Sequence, residues 1–247
     1  MDFGLIIFVA LLFGTAALLY SSVGHGGGSA YLAVMALAGL EPAVMRPTAL
    51  LLNVAVAGLV VVRFWRAGQL ELRPLLPLLA GSVPLAFVGG ATVLPGTAYK
   101  VVVGVVLLLA AARLVYTARR TGDDRPTAVP PLPAVLLGAG LGLLAGLTGT
   151  GGGIFLTPLL LFFGWATPRA ATGLSAGFVL LNSLAGLAGN VASVGQLPAE
   201  LALWLPIVLV AGLLGSELGL RRFNPGALRL ALAGVLVVAG LKLIVLG

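Results

Sequence analysis

The chain is laid out as ten apolar runs, at about residues 3–22, 29–40, 46–64, 73–92, 97–117, 133–148, 153–164, 170–190, 201–220 and 226–246, separated by short polar loops. No other feature constrains the fold as tightly. A helix that spans a bilayer needs about 20 apolar residues, and most of these runs reach or approach that length. They lack the alternation of polar and apolar residues that a β-barrel requires. Backbone groups in hydrocarbon must pair within the protein, so continuous runs of this kind are expected to be helices. Only 9% of the residues are charged, against about 25% in soluble domains. That is too little polar surface to cover a globule in water. The expected class is all-α, a polytopic membrane helical bundle in a lipid bilayer. The first run, Phe3 to Tyr20, has no basic flank before it and no small-residue cleavage site after it, so it is expected to be a retained helix.

The same counts narrow the chemistry. Without cysteine there are no disulfides and no thiolate metal sites. One histidine and seven acids leave little for a metal centre, so neither metal nor cofactor is expected. The net charge of +7 sits in short loops and forms no continuous patch, which excludes a nucleic-acid partner and fits topology-setting charge.

The second five runs repeat the first five. Gly24-His25-Gly26-Gly27-Gly28 matches Gly149-Thr150-Gly151-Gly152-Gly153, Asn53 matches Asn182, Gly68-Gln69-Leu70 matches Gly195-Gln196-Leu197, and Pro95-Gly96 matches Pro225-Gly226. A period of half the chain means a duplicated bundle, not a solenoid. The expected division is residues 1–117 as a first membrane repeat, 118–132 as a charged, proline-rich cytoplasmic linker, and 133–247 as a second membrane repeat.

Charge sets the relative orientation of the halves. The second run of each half is about 12 residues, roughly 18 Å of helix, short of the ~30 Å hydrocarbon core. If each first run and its short partner form a hairpin that starts and ends on one side, three crossings follow and the second half enters upside down. With the linker cytoplasmic, only Arg46, Lys100 and Lys242 then face out, and the other eleven basic residues face in. Parallel halves would split them eight to six. The positive-inside tendency favours two inverted-topology repeats, each a glycine-broken hairpin plus three spanning helices. Transporters built this way bind their substrates near the midplane, at the repeat interface.

The glycine clusters are the expected site. Four glycines in five positions break a helix, since each costs about 1 kcal/mol relative to alanine. Irregular backbone survives at membrane depth only where protein buries it or where it lines a wet cavity. A helix restarts after each cluster, so unpaired N–H groups and the helix dipole should favour an anion there. The alternative is close packing, which explains the isolated glycines at 138, 142 and 146 and at 173 and 177. The candidate substrate-binding set is Gly24, His25, Gly26, Gly27, Gly28 and Ser29 at the first cluster and Gly149, Thr150, Gly151, Gly152 and Gly153 at the second. Asn53, Ser175 and Asn182 join them from the helices that follow. Thr172, Ser175 and Asn182 share one helical stripe, as do Arg46 and Asn53; the asparagines either contact the ligand or bridge helices. His25 alone titrates near neutral pH unaided, and it could carry a proton, donate to the ligand or be structural. Glu217 should pair with Arg221, four residues on. Arg46 and Arg169 either draw anions in or snorkel to the interface.

Two motifs suggest a serine hydrolase and fail in context. His25-Gly26-Gly27-Gly28 spells an esterase oxyanion motif, and Gly173-Leu174-Ser175-Ala176-Gly177 fits G-x-S-x-G. That elbow joins a strand to a helix, whereas Ser175 lies within an apolar helix. The histidine should also follow the serine, and here it precedes it by 150 positions. No enzyme and no catalytic residue are expected, and no Walker sequence provides for ATP.

The duplicated G-x-G-G-G segments, each followed by a short apolar run, a loop and a polar-edged helix, resemble the TauE/SafE sulfite exporter family, also called the toluene-sulfonate uptake permease family. The resemblance covers nearly the whole chain. The second copy, with Pro158, is closer to the family pattern, while the first carries His25 and has Ala33 where Pro158 stands. The resemblance implies secondary transport of a small sulfur-containing anion, such as sulfite or a sulfonate, across a bacterial inner membrane by a multi-pass protein. A passive channel for small anions or neutral solutes is the main alternative, and a non-transporting membrane assembly subunit a third. A coupling proton or other ion, the direction of transport and homo-oligomer formation stay open.

Overall fold

The computed structural model describes residues 3–117, 127–191, 195, 197–221 and 226–245. Among them the regular elements are ten helices: α1 (Phe3–Ser21), α2 (Gly28–Leu37), α3 (Pro42–Arg66), α4 (Leu72–Ala91), α5 (Gly96–Thr117), α6 (Pro131–Thr148), α7 (Gly153–Phe162), α8 (Pro168–Gly189), α9 (Leu201–Leu220) and α10 (Gly226–Val245). Each coincides with one predicted run. Their ends follow local chemistry. Pro42, Pro131 and Pro168 open α3, α6 and α8, where a missing N–H costs nothing. Proline at the first turn is why α3 starts earlier than its apolar run. The short helices stop sooner than their runs, with Leu40 N–H bonded back to Met35 O and Trp165 N–H to Leu160 O across Gly39 and Gly164.

Six of these helices, α1, α3, α4, α6, α8 and α9, are long and apolar enough to cross a membrane among the described residues. The hairpins are therefore unequal, since α1 at 19 residues measures about 28 Å and α2 at 10 residues about 15 Å. Large apolar side chains such as Phe8, Leu76, Leu136 and Val210 point outward from the bundle. Water would penalise such a surface, whereas hydrocarbon accepts it.

Packing follows the repeat. The α4–α6 contact is answered by α9–α1, and α4–α8 by α9–α3, while α3–α8 and α5–α10 pair each element with its own counterpart. Small residues let the long pairs approach. A β-carbon on Gly138, Gly142 or Gly146 would run into the backbone of Leu78, Ser82 or Ala86 on α4. On α9, Gly215 and Gly219 meet the backbone of Leu18 and Ser22 in the same way. The rising numbers on both partners make α6 parallel to α4 and α1 parallel to α9. Gly173 and Gly177 likewise pack on Gln69 and Leu75, so the isolated glycines are packing residues. Phe13 of α1 sits edge-on to Tyr31 of α2 and Trp204 of α9, with ring centroids 5.2 and 5.1 Å apart.

Candidate functional site

Both glycine clusters are breaks between helices. The first follows α1, where His25 N–H bonds back to Tyr20 O at 2.8 Å. Gly27 then caps α2 with φ +109°. The second follows α6, where Gly149 N–H reaches Ala145 O at 2.8 Å, and Gly152 caps α7 with φ +77°. Both caps lie in the left-handed region, which costs a residue with a β-carbon roughly 1–2 kcal/mol. Neither helix start receives a side-chain cap. Among the described residues, the amides of Gly26, Gly27 and Gly28 donate to no backbone carbonyl, and neither do those of Gly151, Gly152 and Gly153. These are the unsatisfied donors that every helix start carries.

The two breaks meet. A β-carbon on Gly28 would stand 2.7 Å from Thr150 O and 2.9 Å from Gly149 O, and one on Gly153 would stand 3.1 Å from His25 Cδ2. Between them lies Asn53 of α3, fully buried, with Nδ2 donating to Gly149 O at 3.3 Å. Gly26, Gly28 and Gly151 all abut its amide, and Val179 of α8 closes the other side. The far ends of the short helices are held by different elements. The far end of α2 is capped by Lys242 of α10, whose Nζ donates to Ala36 O and Leu37 O at 2.8 and 3.0 Å. The far end of α7 bonds to the end of the linker, Thr127 N–H to Gly164 O at 2.7 Å.

Polar side chains fix this core without using the free amides. The Tyr31 hydroxyl donates to Gly26 O at 2.8 Å, and that of Tyr99 to Thr148 O at 3.0 Å. Thr150 bonds Thr148 at 3.0 Å, and Ser29 bonds Tyr20 at 2.7 Å. His25 Nε2 lies 2.9 Å from Thr157 Oγ1, which lies 2.6 Å from Ser175 Oγ. A chain of exchangeable protons thus runs from the first break through α7 to α8.

Most of the predicted residues converge here: His25, Gly26, Gly28, Asn53, Gly149, Thr150, Gly151 and Gly153 directly, and Ser175 through Thr157. Others do not. Ser29 turns back to α1, Gly24 packs on Thr172 of α8, and Gly27 and Gly152 lie against the rings of Tyr31 and Phe178. Asn182 donates to Phe178 O on its own helix at 2.7 Å, in contrast to its repeat mate Asn53. Arg46 neither snorkels nor stands free. It is buried, and its guanidinium donates to Thr92 O at 2.9 Å, Gly89 O at 3.5 Å and Asn190 Oδ1 at 2.7 Å, at the carbonyl ends of α4 and α8. Glu217 accepts from Arg221 at 2.7 Å, as its spacing implies, and also from Arg63 of α3. Thr157, Tyr31, Tyr99 and Ser183 escaped the sequence reading. Thr157 and Tyr31 align with Leu32 and Leu156, so the repeat flagged neither. Apart from this core, a cavity of about 400 Å³ opens at the linker side, lined by Arg73, Thr127, Trp165, Thr167 and Leu174 among others. No predicted site residue lines it, though Leu174 adjoins Ser175 in sequence.

The family profile described as "Sulfite exporter TauE/SafE" matches residues 7–243. A probable membrane transporter protein of Sinorhizobium fredii is 38% identical over 239 residues, covering 96% of this chain and 97% of that protein. One from Bacillus subtilis is 27% identical over 239 residues, covering 90% and 92%, and one from Methanocaldococcus jannaschii is 32% identical over 120 residues, covering 44% and 43%. No solved structure matches the chain significantly. The bacterial relatives fit the expected bacterial inner membrane. On its fold and on this match, the chain belongs to the TauE/SafE sulfite exporter family and is a multi-pass membrane transporter, not an enzyme.

Proposed function

We propose that this protein is a secondary transporter that moves a small sulfur-containing oxyanion, sulfite or a sulfonate, across the bacterial inner membrane. The anion's charge is held by free backbone amides where α2 and α7 begin. One observation carries this reading: two helix starts with unbonded amides abut. At about 15 Å each, the two ten-residue helices, set end to end, match the ~30 Å core, which fits a junction near the midplane. Helix starts supply N–H donors and a positive dipole end, and they do so without a fixed charge that would trap the cargo. The junction is close-packed, so a bound anion requires Val179 of α8 to draw back from the breaks as the halves part. Movement of one repeat against the other is how inverted-repeat carriers expose a central site to each side in turn.

The test is accumulation in proteoliposomes, preceded by a thermal-shift screen of sulfite, thiosulfate, sulfoacetate, sulfate and carboxylates. A carrier concentrates its substrate when a proton gradient or another ion gradient is imposed. Flux that only follows the solute gradient at channel rates would establish the passive channel instead. Gly27→Leu and Gly152→Leu should both reach the membrane and transport nothing. Wild-type flux from either would remove the amides from the mechanism.

A further inference from the structure

The amides at the two breaks are donors, yet the side chain beside them presents an acceptor. The bond from Asn53 Nδ2 to Gly149 O orients this amide, because turning it over would set Oδ1 against a carbonyl oxygen. Oδ1 is left facing Gly26, 2.5 Å from where a β-carbon on that residue would stand. It has no hydrogen-bond partner among the described residues, and the whole residue is 0% exposed. Ser183 Oγ on α8, also fully buried, is a second polar atom without a partner, 3.0 Å from the β-carbon position of Gly151. Buried polar atoms without partners are few in folded proteins, and a water or a ligand usually completes them. Eight side-chain atoms of this kind occur among the described residues, Asn182 Oδ1 among them, and the two that lie against a glycine break come one from each repeat.

We infer that Asn53 sets the specificity of the anion site: its Oδ1 accepts a hydrogen bond from a proton that the cargo itself carries, so the transported species is a singly protonated oxyanion of the hydrogensulfite type and not a sulfonate or a dianion. This rests on the anion reading above. The amides of α2 and α7 take the charged oxygens, and Asn53 tests the one that remains. A bare oxygen in that position faces Oδ1 lone pair to lone pair, in surroundings too dry to screen the repulsion. A sulfonate offers three charged oxygens and no donor, so it leaves Oδ1 unpaired. Sites built to hydrogen-bond one substrate group reject analogues that lack it far more strongly than apolar pockets reject a missing methylene. Ser183, which both donates and accepts, serves either oxygen.

Purified protein in detergent is titrated with sulfite and with methanesulfonate, below and above the second ionisation of sulfite. The charged and titratable groups on the surrounding elements include His25 at the first break, Tyr20 on α1, Tyr31 on α2, Arg46, Arg63 and Arg66 on α3, Arg73 on α4, Tyr99 and Lys100 on α5, Arg169 on α8, Glu217 on α9 with Arg221 just beyond it, and Lys242 on α10. Any of them that titrates alters the binding of both anions. Methanesulfonate keeps one charge and no proton throughout, so the ratio of the two affinities isolates the cargo's proton. The wild type should favour sulfite below its ionisation and lose that preference about tenfold above it, equivalent to ~1.4 kcal/mol. In Asn53→Leu the ratio should stay flat; Asn53→Ser serves if the leucine variant does not fold. A ratio in the wild type that does not move with pH overturns the inference and leaves the anion site standing. An unchanged shift in the Asn53 variants removes the role from this residue. Binding of neither anion overturns the anion site and this inference with it.

Discussion

At the residue scale, what sequence could reveal depended on whether a residue was out of place. Four glycines in five positions contradict the helix around them, and both clusters are indeed breaks. Asn53 was legible as a polar residue within an apolar run, and it stands between the breaks. Asn182 carried the same signal and bonds its own backbone instead. A single polar side chain on a membrane helix has both options, and only the neighbouring helix decides between them. Thr157 was illegible because threonine is common in such helices, and its importance comes from a contact 132 positions away. That contact gives His25 a specific expectation. Its mate is Thr150, so His25→Thr imitates the second repeat and removes the link to Thr157 and Ser175. Substrate binding should persist, while the pH dependence of gradient-driven uptake in proteoliposomes should flatten. An unchanged profile would make His25 a packing residue.

At the element scale, the ten runs gave ten helices because period and length alone distinguish them in a chain this apolar. What the runs could not give was which helices touch. The spacing of Gly138, Gly142 and Gly146 was nevertheless a strong clue, since small residues every fourth position form a flat stripe. The structure fills that stripe with the backbone of α4. Adding a side chain there should overpack the seam, at a typical cost of about 1–3 kcal/mol. Gly142→Leu is therefore expected to lower the thermal midpoint of the detergent-purified protein. Gly140 is the control, because it lies on the same helix, is exposed and has open space where its β-carbon would be. Gly140→Leu should leave the midpoint unchanged or raise it slightly, since leucine is the better helix former. Equal losses from both would mean that glycine serves α6 through something other than its contact with α4.

At the scale of the whole molecule, the proposed inversion of the repeats makes a demand that contacts between the halves can meet or fail. Counting crossings from a cytoplasmic linker puts the start of α3 and the ends of α4 and α8 on the outer side. Arg46, Thr92 and Asn190 belong to those three ends, and they are hydrogen-bonded together. The ends of α3 and α9 fall on the inner side, where Arg63 pairs with Glu217. The ends of α2 and α10 fall on the outer side, joined by Lys242. Parallel halves would place the members of each set on opposite surfaces, about 30 Å apart. These three contacts support inversion independently of the charge distribution that first suggested it. Each face then carries its own contact between the halves, an ion pair from α3 to α9 inside and bonds from Arg46 to Asn190 and from Lys242 to the end of α2 outside. Sidedness can be measured directly because the chain has no cysteine. Glu41→Cys, just before α3, and Phe163→Cys, at the end of α7, occupy nearly equivalent exposed positions in the two repeats. In intact cells an impermeant thiol reagent should label Glu41→Cys alone, and Phe163→Cys should react only once the membrane is opened. Labelling of both from the same side would make the repeats parallel, and the two short helices could then not point apart from a shared midplane site.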